Sequence, residues 1–186
     1  MKKILKIIIA VFAVLIVVGV GFVAAIFFDA AGNFATDVHP LPNGAPIGQA
    51  IVVYDPGLSG TAKDIATKIG YNLQDRGYNV VLAGVKSSAA QNLTGYDIIV
   101  VGGPIYMGKA APTIQAYFKT LNPPANATVG AFGYGSIQID NSNQTAVKAE
   151  VAPLPAESHV TLGPVIKISS NDDVTSKCQE FVSRFG

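Results

Sequence analysis

The chain has 186 residues, 13 Lys and Arg against 12 Asp and Glu, a formal net charge of +1, one cysteine and no tryptophan. A balance this close to neutral argues against a nucleic-acid binder, whose footprint is a basic surface. A single cysteine excludes an intrachain disulfide and any cysteine-built zinc or iron–sulfur centre.

The first element is hydrocarbon. After "MKKILK" comes "IIIAVFAVLIVVGVGFVAAIFF", residues 7–28, with no charge in it. At about 1.5 Å per residue such a helix reaches roughly 33 Å, enough to cross a hydrocarbon core of about 30 Å. This reads as an N-terminal membrane anchor over 1–28. A cleaved signal peptide is the alternative, with a small-residue cleavage site at Val23 to Ala25; signal-peptide apolar regions are usually shorter, about 7–15 residues. Lys2, Lys3 and Lys6 precede the span, and the next basic residue is Lys63. The positive-inside rule then puts the N-terminus in the cytoplasm and the rest outside. Three triplets, at Asn92, Asn126 and Asn143, have the form of glycosylation acceptors.

Residues 29–48 show no helical or strand period and carry Gly, Pro and Asn, the composition of a tether. His39 lies there beside Pro40 with no second metal ligand near, so it reads as a solvated side chain.

Residues 49–186 are long enough for a core. Beyond Lys6 the chain carries 10 basic and 12 acidic residues, too mild an excess for electrostatic steering. "QAIVVYD" (49–55) has strand composition. In the segment starting at Thr61, Ala62, Ile65, Ala66, Ile69 and Leu73 fall at helical spacing, with Gly77 as the stop. Strands follow at 79–85, 97–103, 127–135 and 159–169, the last interrupted by Gly163-Pro164. Between them the pattern predicts a short turn or helix near 87–96, a helix over 111–121 and a short helix ending near Pro153. A last helix follows Asn171, its expected cap, with Asp172 and Asp173 suited to its N-terminal dipole. Alternating strands and helices predict a parallel sheet, and unbroken apolar strands predict cover on both faces. Five strands in such a doubly wound sheet commonly take the order 2-1-3-4-5, with ligands at the carboxyl ends beside the first and third strands.

Three loops fall at those ends. "PGLSGTA" places Gly57 and Gly60 where backbone can approach a ligand, with Ser59 and Thr61 as hydroxyl donors and a helix N-terminus behind them, an anion site. An ordinary Gly-rich turn with a Ser or Thr cap is the competing reading. "GGPIYMGKAAP" carries Tyr106, and "GYGSIQID" carries Tyr134 between Gly133 and Gly135; an aromatic there can stack on a flat ligand or pack on a neighbouring helix. No Ser-His-Asp or Cys-His set can be assembled, so no catalytic residue is assigned, and no metal set either. Cys178 reads as a packed thiol on the last helix.

These three stretches, "YDPGLSGTAKDIA", "DIIVVGGPIYMGKAAPTIQAYF" and "VGAFGYGS", stand in the order and spacing of the flavodoxin-like family, which residues 49–186 resemble. The resemblance implies FMN, its phosphate in the first loop and its ring between the second and third. Carried over, Leu58, Ser59, Gly60 and Thr61 take the phosphate; Pro104, Ile105, Tyr106, Met107 and Gly108, with Gly133, Tyr134, Gly135 and Ser136, flank the ring. The chain departs from the family's T-x-T-G-x-T pattern at Gly57 and Ala62, where two hydroxyls are replaced. The function implied is electron transfer by a membrane-tethered FMN domain to or from a redox protein at the membrane or surface. Two alternatives stay open: an FMN-dependent oxidoreductase acting on a small substrate such as a quinone, and a flavodoxin fold that has lost flavin and serves as a binding module.

Overall fold

A computed structural model describes residues 2–30 and 34–186. The first helix, α1, runs Lys2–Ala30, and its Lys3–Phe28 stretch is long and apolar enough to cross a membrane, a test that a signal sequence also passes. None of that stretch is buried in the protein.

The domain is a seven-stranded sheet. In chain order its elements are β1 (Val38–Leu41), β2 (Gly48–Tyr54), α2 (Thr61–Asp75), β3 (Tyr78–Gly84), α3 (Ser88–Gln91), β4 (Ile98–Tyr106), β5 (Lys109–Ala110), α4 (Pro112–Thr120), β6 (Thr128–Gly135), α5 (Gln144–Val151), β7 (Leu162–Ser169) and α6 (Val174–Ser183). The sheet order is β1-β3-β2-β4-β6-β7, with β5 folded back on β4. Its five parallel strands, β3-β2-β4-β6-β7, have the predicted 2-1-3-4-5 order. Two additions surround that frame. β1 pairs antiparallel with β3, so residues 38–41 of the expected tether form the sheet edge. An edge tolerates Pro40, which cannot donate to a second neighbour.

Both faces are covered, which is why the strands read as unbroken apolar runs. On one face Tyr54, Val100 and Phe132 pack with Ile65, Ile69 and Leu73 of α2 and Phe181 of α6. On the other, Ile51, Val101 and Ala131 pack with Ile114 and Phe118 of α4 and Val147 and Val151 of α5. Close approach inside this sheet needs glycine at position 102, where a Cβ would sit 2.3 Å from the Phe132 carbonyl oxygen. The cap of α6 is Asp173, whose Oδ1 accepts from the Thr175 and Ser176 amides at 3.0 and 3.4 Å. Asn171, expected there, lies two residues early; Asp172 instead accepts from the Ser169 amide at 2.7 Å. Cys178 is fully buried, and burial first, with Asp173 adding, pushes its thiol up to about 11 despite the nearby Lys68 charge.

Candidate functional site

Parallel strands deliver their carboxyl ends, and the loops that follow, to one edge. The first loop, between β2 and α2, turns through two left-handed glycines, Gly57 at φ 62° and Gly60 at φ 73°. Gly60 is also the N-cap of α2, and it has no side chain to cap the helix. A fifteen-residue helix thus presents first-turn N–H groups and the positive end of its dipole at the loop. The Ser59 hydroxyl donates to Thr61 Oγ1 at 3.0 Å and accepts from the Thr61 amide at 3.3 Å, which gathers both hydroxyls at that helix start. Leu58 and Ser59 are exposed, while Ala62 is buried under the helix.

What holds the loop was not read from the sequence. Asp55 is buried at the end of β2; its Oδ1 accepts from the Gly57 amide at 2.9 Å, and its Oδ2 accepts from the Thr113 hydroxyl of α4. One carboxylate thereby ties the first loop to the helix after the second. A charged residue ending an apolar strand was the available signal, but its partner is 58 positions away.

The second loop is not a loose segment. β4 continues through Tyr106 and returns as β5 through a two-residue turn, Met107 at φ 51° and Gly108 at φ 74°. Positive φ at both centre positions is the type I′ pattern that matches strand twist. Met107 is the one non-glycine residue with positive φ among the described residues, and its side chain is 99 % exposed. Pro104 is buried against the first loop, since a Cβ on Gly57 would meet Pro104 Cγ at 3.0 Å and the Tyr106 hydroxyl at 3.2 Å. Ile105 points the other way into the core, where it fills the space left by Gly133 and Gly135.

The third loop follows β6. Tyr134 is half-buried and packs on the α2 and α6 side of the sheet, whereas Ser136 is exposed. A small recess joins this loop to the second, lined by Met107, Gly108, Gly135, Ser136 and Lys167. Lys167 is a second feature that sequence reading missed. It sits in β7, 2 % exposed, with its ammonium paired to Glu150 of α5. A lone Lys inside "PVIKIS" was the only trace of it.

The structure thus brings Leu58, Ser59, Gly60, Thr61, Tyr106, Met107, Gly108 and Ser136 to one accessible edge, with Pro104 beneath them; Ile105, Gly133 and Gly135 support it from the core, and Tyr134 stands between. On the α4 side of this edge a cavity of about 640 Å³ is bordered by Leu58, Tyr106, Met107, Lys109 and Gln115, with Ile26 of α1; residues 59–61 and 133–136 do not line it. Among the described residues no cluster of His, Cys, Asp or Glu is arranged to hold a metal ion.

Comparison with known proteins fits this geometry. A short-chain flavodoxin associated with a non-canonical PDU bacterial microcompartment superposes with a TM-score of 0.53 at 17 % identity, over 74 % of this chain and 95 % of its own. The Flv1 flavodiiron core from Synechocystis sp. PCC6803 superposes at 0.52 and 16 % identity, over 76 % of this chain and 36 % of that one. A flavo di-iron protein from Thermotoga maritima, an H90A mutant, gives 0.51 and 18 % over the same shares. At these identities the likeness is one of fold. No curated protein sequence matches the chain. The model of the flavodoxin domain family matches residues 53–152, more than half of the sequence and all three loops. The chain belongs to the flavodoxin domain family, whose cofactor is FMN.

Proposed function

We propose that this protein is a membrane-anchored flavodoxin domain that binds FMN at the carboxyl edge of its sheet and passes electrons to or from a redox partner at the membrane. The observation that carries the reading is the meeting of an uncapped helix start with the Tyr106 hairpin, at the position where the strand order reverses between β2 and β4. The residues fit the cofactor. A phosphate needs N–H donors and positive potential, which the start of α2 offers with the Ser59 and Thr61 hydroxyls. A flat ring needs apolar and aromatic walls, which Leu58, Tyr106 and Met107 offer.

Bound FMN supplies the redox chemistry; the chain supplies binding, orientation and shielding. Leu58, Ser59, Gly60 and Thr61 would hold the phosphate, and Tyr106, with half-buried Tyr134, would flank and shield the ring. The Asp55 bridge to Thr113 keeps the two binding loops in register. By the positive-inside rule, Lys2, Lys3 and Lys6 before the span support an extracytoplasmic domain.

Titration of the full chain in detergent with FMN tests the reading, followed by flavin fluorescence and absorbance. Saturation near one FMN per chain is the expected result; a folded chain that leaves FMN unbound at high micromolar concentration refutes it. Loss of hydroxyls at Gly57 and Ala62 favours a second reading, a flavodoxin fold without flavin, and the same refuting outcome would select it. Rapid reduction by NADH or NADPH with turnover on a quinone would instead select a reductase.

A further inference from the structure

We infer that the carboxyl edge of the sheet, which carries the candidate site, lies against the bilayer that holds α1. The inference rests on the proposed reading of α1 as a retained anchor, but not on flavin binding.

The chain enters the domain at that edge. Ala35 is fully buried beside the last residue of β3: the Lys86 amide donates to its carbonyl at 2.8 Å, and a Cβ on Gly84 would fall 2.3 Å from its carbonyl carbon. The Gly84 amide donates to the Asp37 carbonyl at 2.7 Å. Asp37 is latched further by Lys63 of α2. From there β1 runs antiparallel to β3, away from the carboxyl edge, so everything upstream of Val38 is left on the ligand side.

The connection is short. α1 ends at Ala30, and the five peptide steps to Ala35 reach on the order of 17 Å at full extension. A folded domain of this size is roughly 35 Å across. A link half that long cannot carry the domain round to face the membrane with its far edge. In agreement, Phe28 of α1 meets Phe34 with ring centroids 5.2 Å apart, and Ile26 borders the same cavity as Leu58, Tyr106 and Met107.

The edge is also made for an interface. Beyond α1, eight large apolar side chains stand exposed among the described residues, and five of them are here: Phe34, Leu58, Tyr106, Met107 and Ile137. They come from four separate segments, so no single loop explains the clustering. Lys86 and Lys109 are exposed at the same edge, with long stems that can follow apolar surface while their ammonium groups reach lipid phosphates. Aromatic, Met and Leu side chains with flanking Lys are what a bilayer interface accepts.

The test uses the full chain in zwitterionic vesicles doped with an anionic lipid. A polarity-sensitive fluorophore is placed by Met107→Cys, Ile137→Cys or, at the opposite edge, Ala125→Cys; buried Cys178 stays unlabelled in the folded protein. Folding of each variant is confirmed by circular dichroism, and a nitroxide on an upper acyl carbon serves as quencher. The inference expects the labels at 107 and 137 to be quenched at least about two-fold more than the label at 125, with blue-shifted emission, because interfacial residues sit some 5–10 Å into the headgroup boundary. Chain that floats with the vesicles but shows equal quenching at both edges overturns the inference and leaves the anchor standing. Chain that does not float overturns both. FMN titration of the same samples is an independent readout.

Discussion

The two edges of this sheet are built from the same kinds of turn and differ in what the turns do. At the amino edge, Gly77 at φ 99° and Gly95 at φ 86° lead chain into β3 and β4; they are punctuation between elements. At the carboxyl edge, Gly57, Gly60, Met107 and Gly108 take the same left-handed region, yet there they shape a helix start and a protruding hairpin. The amino edge has its own grooves, of about 440 and 490 Å³, lined by residues such as Leu93, Pro123, Pro124 and His159. Neither has an exposed aromatic among its lining residues, whereas the carboxyl-edge cavity has Tyr106. Concavity alone therefore does not mark the site; exposed apolar side chains beside a helix start do.

The difference can be broken most forcefully from beneath. Glu150→Ala strands the Lys167 ammonium, 1 % exposed, under the third loop. Removing one partner of a buried pair costs about 3 kcal/mol or more, whereas Lys167→Met should cost far less, because no charge is left buried. Chemical denaturation midpoints check both.

A sharper contrast pairs one glycine from each edge. Gly57→Ala and Gly95→Ala both force an L side chain into a left-handed conformation, at about 1–2 kcal/mol each. The Gly95 Cβ meets nothing within 4 Å, while that of Gly57 presses on Pro104 and Tyr106. Both variants should lose stability, and only Gly57→Ala should also lose FMN affinity by calorimetry. Equal affinity loss would place the ligand elsewhere. Tyr106→Ala should weaken FMN by about 1–3 kcal/mol, by analogy with base–aromatic stacking, with little change in melting temperature, since the ring is already 42 % exposed.

The smallest effect is on pH. Burial raises the Asp37 carboxyl, but the hydrogen bond and charge of Lys63, with His39 adding, outweigh it and hold it below its ordinary range. A depressed carboxyl contributes stability above its unfolded value, about 3.9, and loses it as pH falls through the folded one. Protection of the Gly84 and Lys86 amides, taken relative to the intrinsic exchange rate at each pH, should therefore fall below about pH 4, and Asp37→Asn should show the reduced protection at neutral pH.

Much of this was legible in the sequence because it is local. Unbroken β-branched runs specify buried strands, and the spacing of Ile65, Ile69 and Leu73 specifies α2. The features that escaped depend on distant partners. "VHPL" has neither strand composition nor alternation and becomes β1 only because β3 offers an open edge. The Met107-Gly108 turn lacks the Asn-Gly signature, and Met107 takes a positive φ because the β4–β5 pairing imposes it. The α6 cap was displaced because Asn171, Asp172 and Asp173 all suit it, and Asp172 is taken by Ser169.

FMN at the carboxyl edge is what the proposed function turns on, and hydrogen exchange of the full chain in detergent, with and without FMN and read by mass spectrometry, checks it. Exchange should slow in peptides covering 57–62, 104–109 and 134–137, and should not change in those covering 92–96, 121–127 and 155–161. Protection at the amino-edge peptides, or at none, would contradict it.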